Sequence, residues 1–270
     1  MSASRMRRRL WALVFLQLLV ATAALANENE TANWVPFTGS YSISRTFQHY
    51  GGHDTPGIDF RIPAGTPIRA AGPGTVVGIE ERCKPGHRWC SGRRGNYVQI
   101  AHPAGRHSRY LHLRPRGVVV SLGEQVVRGQ VIGYSGNTGD STGPHLHYDE
   151  LLNGSRIYPG PMYALHGGET VAYRDWPGAD ERLIRNDGYP LTDLTVAIEG
   201  AGRVTSSPAG IDCGPDCVET YEPGELVVLT AEPDELYTFA GWSGACEGTD
   251  PCELRMTSSM TVTATFVLLP

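Results

Sequence analysis

The sequence has little that favours helices, and this lack bounds the fold class. No long stretch of the 270 residues shows apolar side chains recurring at the helical period. Glycine and proline are frequent instead, at 33 and 19 residues, and they separate short segments rich in valine, isoleucine and threonine. The pattern predicts an all-β protein of one large domain or two smaller ones.

Long apolar runs are absent except at the N-terminus. There, four arginines precede an apolar run at residues 10–24, and Ala24-Leu25-Ala26 provides a small-x-small cleavage site. The run is shorter than the roughly 20 residues that a membrane span needs. No cysteine follows the cleavage site for lipid attachment. We therefore expect a signal peptide at residues 1–26, no transmembrane anchor, and an exported protein of the periplasm or the extracellular space.

Basic side chains are scarce in the C-terminal part of the chain. Residues 191–270 hold 13 acidic and two basic side chains, whereas residues 27–190 hold 15 acidic and 17 basic ones. This distribution argues against nucleic acid as a partner, because phosphate binding needs clustered lysine and arginine. It also separates an acidic C-terminal module from a near-neutral first part.

The six cysteines fall into three close couples, each of which brackets a turn-rich segment. The sequence alone cannot choose among the pairings. In an oxidising compartment, local disulfides are favoured over a four-cysteine zinc site built from the last four cysteines. The couples are Cys83 with Cys90, Cys213 with Cys217, and Cys246 with Cys252.

Composition shifts divide the chain into five segments. After the signal peptide, residues 27–40 are polar and are interpreted as an irregular leader, and residues 41–155 as a domain of short strands. Residues 156–190 are interpreted as an extension packed on that domain, with a weak helix at 179–185 and a linker at its end. Residues 191–270 are predicted to be a small disulfide-bonded β module, which begins with a hairpin around Glu199-Gly200-Ala201.

Several widespread catalytic motifs are missing, including the His-Glu-x-x-His zinc helix, the Walker loop and the Gly-x-Ser-x-Gly elbow. All nine histidines lie between His49 and His166, so imidazole chemistry belongs to the first part of the chain. His145 and His147 follow a Gly-Pro turn and are two residues apart, which puts both on one face of a strand. Such a pair suits a metal site, although isolated pairs also occur as surface histidines.

Three further groups extend the candidate site. His53 and Asp59 flank a Pro-Gly turn, Tyr110 and His112 are predicted to share a strand face, and His102 ends the preceding strand. Each group alone has a structural explanation, as exposed turn residues or hydrogen-bonded strand histidines. Together they offer three metal ligands and two further imidazoles.

The candidate residues belong to a series of motifs that occur in a fixed order over residues 41–155. The series resembles the lysostaphin/LytM family of zinc endopeptidases, which cleave peptide cross-links of bacterial peptidoglycan. The resemblance implies an antiparallel β-sheet of the duplicated hybrid motif type, with zinc (Zn2+) in a groove of the sheet. The motifs are His53, Gly57-Ile58-Asp59-Phe60, Pro63-x-Gly65-Thr66-Pro67, Gly95-Asn96-Tyr97-Val98, Tyr110-x-His112-Leu113, Gly129-x-x-x-Gly133, Ser135-Gly136-Asn137-Thr138-Gly139 and His145-Leu146-His147.

The same resemblance implies a role for each of these residues. His53, Asp59 and His147 become the zinc ligands, and His112 and His145 become an unligated catalytic pair. His145 is assigned as the base for water and His112 as the group that stabilises the transition state, although the sequence does not decide between the two.

One spacing departs from the family. Its commonest pattern places the aspartate four residues after the histidine, whereas His53 and Asp59 are six apart. The residue four positions before Asp59 is Thr55, which is a poor zinc ligand. The turn at Pro56-Gly57 can absorb two residues, and His49 is the weaker alternative ligand.

The C-terminal module resembles the small bacterial β domains related to internalin B-repeats. The resemblance rests on the cysteines, on Phe239-x-Gly241-Trp242 and on Val262-Thr263-Ala264-Thr265-Phe266. Such modules occur on exported proteins as adhesive or spacer elements. We therefore expect either contact with a cell-surface or wall polymer or a passive appendage.

Taken together, these patterns predict an exported zinc endopeptidase that acts on peptidoglycan peptides. The alternative is a non-catalytic LytM-like protein that binds or activates another cell-wall hydrolase. A third interpretation is a general protease or adhesin with a vestigial site.

Overall fold

The computed structural model describes residues 33–46, 57–157, 159–167, 169–173, 183–214 and 216–270. The predicted signal peptide, and both His49 and His53, lie outside the described residues. Within these ranges the protein is all-β, as predicted, with a single short 3-10 turn at Pro103–Gly105. Among the described residues, no helix has the length and apolar character needed to cross a membrane.

The first part of the chain is built around one large sheet. Its strands run in the order β14-β2-β3-β10-β7-β6-β5-β8, with β11 added beside β10, and every pair is antiparallel. A three-stranded sheet, β1-β12-β13, and the pair β4-β9 contribute to the same core. The strands are β1 (Asn33–Trp34), β2 (Gly39–Thr46), β3 (Ile58–Arg61), β4 (Pro67–Arg69), β5 (Gly74–Glu80), β6 (Asn96–Ala101), β7 (Arg106–Leu113), β8 (Gln125–Val126), β9 (Val131–Tyr134), β10 (Leu146–Leu152), β11 (Ser155–Ile157), β12 (Met162–His166), β13 (Glu169–Tyr173) and β14 (Leu183–Asn186).

Alternation along the central strands decides which face is the core. In β10, Leu146 and Tyr148 are fully buried, and Tyr148 stacks edge-on against Tyr110 of β7 at a centroid distance of 5.4 Å. Burying apolar area stabilises the sheet by roughly 25 cal/mol per Å². Because successive side chains alternate, the same burial turns His147 to the opposite face.

Residues 33–40 differ from the irregular leader that the sequence predicts. Asn33–Trp34 forms β1, which pairs in parallel with β12, and the Val35 amide donates to the Tyr163 carbonyl at 2.8 Å. Trp34, Val35 and Phe37 are buried. Three apolar side chains within a polar stretch were enough to join the core.

The weak helix predicted at 179–185 is wrong where the structure describes it. Residues 179–182 lie outside the described ranges, but Leu183–Asn186 is strand β14, paired antiparallel with β2. Ile184 enters the core, and the buried Asn186 donates through Nδ2 to the Phe37 carbonyl at 2.8 Å. The free edge of β2 provided hydrogen bonds that the local sequence pattern does not reveal.

The C-terminal module is a sandwich of two four-stranded sheets. One sheet runs β18-β15-β22-β20 and the other β17-β16-β19-β21, with a separate core between them. On β22, Val262, Ala264 and Phe266 are buried together, as the alternation predicted. The strands are β15 (Thr192–Glu199), β16 (Gly202–Ser207), β17 (Asp212–Cys213), β18 (Val218–Tyr221), β19 (Leu226–Pro233), β20 (Tyr237–Gly244), β21 (Cys252–Arg255) and β22 (Met260–Leu268).

The hairpin predicted at the start of the module is wrong. β15 pairs with β18 and, in parallel, with β22, so both of its edges are taken. β16 instead joins β17 and β19 in the other sheet. Gly200, at a φ of +90°, lets the connection pass close to the Phe266 carbonyl, where a Cβ would collide.

All three predicted local disulfides are present. They join Cys83 to Cys90, Cys213 to Cys217 and Cys246 to Cys252. The first closes a loop of the large sheet, and the other two lie in the C-terminal module.

The two parts of the molecule have separate cores and touch through polar groups. Arg69 Nη2 lies 2.7 Å from Glu222 Oε2, and Gly224 packs against the side chain of Gln130. The two hydrophobic clusters share no residue, so the chemistry of each part can be considered separately.

Candidate active site

Two neighbouring strands bring Asp59 and His147 together. Asp59 on β3 lies directly opposite His147 on β10, so both side chains project from the same face. His147 Nδ1 donates to Asp59 Oδ1 at 2.7 Å, and His145 Nε2 lies 3.7 Å from the same oxygen. One predicted ligand, His147, and one predicted catalytic residue, His145, therefore converge on the carboxylate of a second predicted ligand, Asp59.

The backbone at Gly57 passes close to the imidazole ring of His147. A Cβ on Gly57 would lie 2.7 Å from both Cε1 and Nε2 of His147. A larger residue at position 57 would therefore displace the imidazole, which explains why glycine precedes β3.

His112 reaches the site through an irregularity in β7. Regular alternation predicts that Tyr110 and His112 share a face, and this prediction is wrong. The register between β6 and β7 shifts so that His112 is an extra residue, with a φ of +64°. Its ring centroid lies 4.7 Å from that of His145 and 6.0 Å from that of His147, whereas Tyr110 stays on the core face.

Backbone carbonyls fix the tautomers of the two imidazoles that are not predicted ligands. His112 Nδ1 lies 2.7 Å from the Thr138 carbonyl oxygen, and His145 Nδ1 lies 2.9 Å from that of Gly143. Because a carbonyl only accepts, each Nδ1 carries the proton, and each Nε2 of the neutral ring keeps a lone pair. Burial, together with the neighbouring imidazoles, lowers the pKa of His112 to about 3, so this ring is neutral near pH 7.

A buried ion pair lies against His147 on the side of the ring away from Asp59. Arg109 holds Asp149 through two bonds of 2.7 Å, and Arg156 Nε adds a contact at 3.2 Å. Asp149 is fully buried, and its Oδ2 lies 3.5 Å from His147 Nε2, a buried nitrogen that has no hydrogen bond among the described residues. Sequence reasoning missed Arg109 and Asp149, although Asp149 is two residues after His147 and therefore on the same strand face.

The two carboxylates favour positive charge at His147. Burial alone would lower the pKa of His147, but Asp149 and Asp59 together raise it to about 9. Burial likewise opposes ionisation of Asp149, but His147 and Arg109 lower its pKa to about 2. The imidazole of His147 thus lies between two anionic side chains, which favour its positively charged form.

The residues present fit a zinc ion at two of the three predicted ligand positions. Among the described residues, no group of three or more His, Cys, Asp or Glu side chains is arranged to hold a metal. His53, the third predicted ligand, lies outside them. Asp59 and His147 nevertheless present an oxygen and a nitrogen 2.7 Å apart, bridged by a proton that a divalent cation could replace.

Two other histidines are not part of this cluster. His102 lies between the Pro73 carbonyl at 2.7 Å and Ser108 Oγ at 2.8 Å, as a hydrogen-bonded strand-end histidine. His166 is exposed at the end of β12.

Two family profiles match parts of the chain. Residues 53–159 match the profile of peptidase family M23, and residues 192–269 match that of the divergent InlB B-repeat domain. The chain is 45% identical over 101 residues to the peptidoglycan DD-endopeptidase ShyA of Vibrio cholerae, covering 37% of this chain and 21% of that protein.

Two further relatives have related names. The DD-carboxypeptidase/endopeptidase Mpg of Neisseria meningitidis is 37% identical over 142 residues, which are 50% of this chain and 30% of that protein. The glycyl-glycine endopeptidase ALE-1 of Staphylococcus capitis is 34% identical over 130 residues, which are 47% of this chain and 33% of that protein. The matched segment spans no more than a third of any of these three relatives. The chain is therefore similar to peptidase family M23 over residues 53–159 and to the divergent InlB B-repeat domain over residues 192–269.

Proposed function

We propose that the protein is an exported, zinc-dependent endopeptidase that hydrolyses peptide cross-links or stem peptides of bacterial peptidoglycan. The observation that carries the proposal is the convergence of His112, His145 and His147 around Asp59 on one face of the M23 domain. The names of the three relatives support the substrate class.

In this proposal, Asp59, His147 and His53 hold the metal. Zinc in such a site activates a water molecule near neutral pH and polarises the scissile carbonyl. The carboxylates of Asp149 and Asp59, which lie on either side of His147, supply the negative charge that a bound cation would neutralise. Asp149 and Arg109 are positioning residues, because they restrict the ring of His147 from the side away from Asp59.

His145 and His112 provide proton transfer. Each has its Nδ1 proton donated to a backbone carbonyl, so each can accept a proton at Nε2. We assign His145 as the base, because its Nε2 lies 3.7 Å from Asp59 Oδ1, next to the proposed metal ligands. His112 completes the pair: after it has accepted a proton at Nε2, the resulting imidazolium donates that proton to the developing oxyanion.

The C-terminal module has no part in this chemistry. It contains no histidine, and its charge is strongly acidic. We propose that it acts as a spacer or contacts a wall or surface polymer, while residues 1–26 direct export.

The decisive experiment replaces His147 with alanine in the full-length protein. We expect about one zinc per wild-type chain, loss of most of that zinc in the variant, and a fall in hydrolysis of purified sacculi of more than about a thousandfold. Metal analysis and mass spectrometry of the released fragments measure both effects and identify the bond cut. His166→Ala, at an exposed histidine outside the cluster, is the matched control.

Full activity after thorough chelation would contradict the proposal. A zinc-free protein that cuts nothing itself but stimulates a separate wall hydrolase would favour the non-catalytic alternative. Fractionation of cells expressing the full chain, with and without residues 1–26, tests export separately.

A further inference from the structure

A short disulfide-closed loop presents a large aromatic side chain to solvent. Cys83 and Cys90 are bonded, and Trp89 lies just before the second cysteine with 70% of its surface exposed. Tryptophan is usually well buried, and an isolated exposed ring in a constrained loop is typical of a contact surface. Neither the zinc site nor the core uses this residue.

The loop is tied to the catalytic face at its base. The Cys83 amide donates to Asn96 Oδ1 at 2.8 Å, and Asn96 Nδ2 donates back to the Cys83 carbonyl at 3.0 Å. The Asn96 amide in turn donates to Thr138 Oγ1 at 2.9 Å. Because the Thr138 carbonyl accepts the Nδ1 proton of His112, the loop and this catalytic imidazole share one support.

The segment after the loop is attached to the same region. The Asp140 amide donates to the Arg93 carbonyl at 2.8 Å, and the His112 amide donates to the Arg94 carbonyl at 3.2 Å. Arg88 Nε also donates to Asp140 Oδ1 at 2.7 Å. The loop therefore forms a fixed border beside the site.

The border is cationic as well as aromatic. Residues 82–95 contain four arginines, one lysine and no acidic residue. Arg88 and Arg93 share a single carboxylate, at 2.7 Å and 3.7 Å from Asp140, and the exposed Lys84 has no ion pair among the described residues. The Arg93 guanidinium also lies 4.2 Å from the centroid of the Trp89 ring, so the aromatic surface and the positive charge are adjacent.

We propose that this loop binds an anionic segment of the stem peptide next to the scissile bond. An apolar part of the peptide packs on Trp89, and a free carboxylate pairs with Lys84 or Arg93. Stem peptides carry free carboxylates, whereas the backbone sugars of the glycan strand do not, so the charge favours the peptide. This inference rests on the proposed function, because it names a substrate contact of the same site.

The test compares Trp89→Ala and Lys84→Gln with Leu122→Ala in the full-length protein. Leu122 is a matched control, because it is 68% exposed in the same domain but outside the loop. The substrates are soluble disaccharide-peptides with free carboxylates, the same compounds with amidated carboxylates, and the peptides without sugar. Turnover gives KM and kcat, and titration of the zinc-stripped protein gives affinity without hydrolysis.

We expect Trp89→Ala to raise KM about tenfold with little change in kcat. Trp89→Phe should restore part of the affinity, and Lys84→Gln should reduce the preference for free over amidated carboxylates. The effect of Trp89 should persist on peptides without sugar. Its disappearance there would overturn the proposal in favour of a glycan contact, and a Trp89→Ala variant that matches Leu122→Ala would overturn it outright.

The outcomes also separate this proposal from the proposed function. A wild-type protein that binds the fragments through Trp89 but never cleaves them would refute the peptidase and leave the loop proposal standing. A protein that cleaves normally without any contribution from Trp89 or Lys84 would refute the loop proposal alone.

Discussion

The first part of the chain and the C-terminal module each contain an arginine that donates two hydrogen bonds to one aspartate. Arg109 and Asp149 meet at 2.7 Å and 2.7 Å, and Arg203 and Asp212 at 2.6 Å and 2.7 Å. The side chains of the first pair are 8% and 0% exposed, whereas those of the second are 53% and 43% exposed. The two pairs thus have the same geometry in opposite environments.

The surroundings, and not the geometry, decide what each pair does. Water screens the exposed pair on strands β16 and β17, so it contributes little. Removal of one partner from the buried pair would leave an unpaired charge in the protein interior, which is costly in free energy. It also lies behind His147, so its burial is coupled to the position of a proposed zinc ligand.

Removing one carboxylate from each pair is the strongest test of this difference. Asp149→Asn leaves the buried Arg109 without its counter-charge, and we expect a loss of about 3–5 kcal/mol in the free energy of unfolding. It should also weaken zinc binding about 10- to 100-fold, because His147 loses its neighbour. Denaturant unfolding and competition titration with a zinc chelator measure the two effects.

Asp212→Asn is the matched control in the C-terminal module. It removes the same bidentate contact from a solvent-exposed pair, so we expect no measurable change in zinc affinity or catalytic rate. Equal effects of the two substitutions would show that burial does not distinguish the pairs.

The disulfides allow a second, smaller comparison between the regions. Replacing both cysteines of Cys83–Cys90, or both of Cys213–Cys217, opens a short loop and should cost about 2 kcal/mol in each case. Only the first replacement should also raise KM for wall peptides, because that loop borders the proposed catalytic face. Thermal unfolding and kinetics of the two double-serine variants check this expectation, which fails if the module variant alters KM equally.

The smallest expected effect concerns pH and His102. Burial lowers the pKa of His102 below its ordinary value, so the folded chain holds this ring neutral. Below about pH 6.5 the unfolded chain binds the proton more readily, and stability falls as pH decreases. His102→Gln should therefore flatten part of the decline in the unfolding midpoint between about pH 7 and pH 5. The C-terminal module, which has no histidine, should show no such decline in its own transition.

Local patterns predicted much of this structure. Alternation placed Val262, Ala264 and Phe266 on the core face, and short spacing favoured the three disulfides that are present. The hairpin predicted around Gly200 was wrong because adjacent strands can join different sheets. Strand β14 was missed because its hydrogen bonds depend on the edge of β2, which is distant in sequence.

The sequence by itself determined that His145 and His147 lie at the start of a strand whose core face is Leu146 and Tyr148, because the side-chain period of a strand is two. Only the tertiary structure decided that His112 joins them. Its left-handed backbone and the register shift between β6 and β7 turn the ring away from Tyr110. The separate register between β7 and β10 places Arg109 opposite Asp149. Such contacts arise from pairing between distant strands, which no local period encodes.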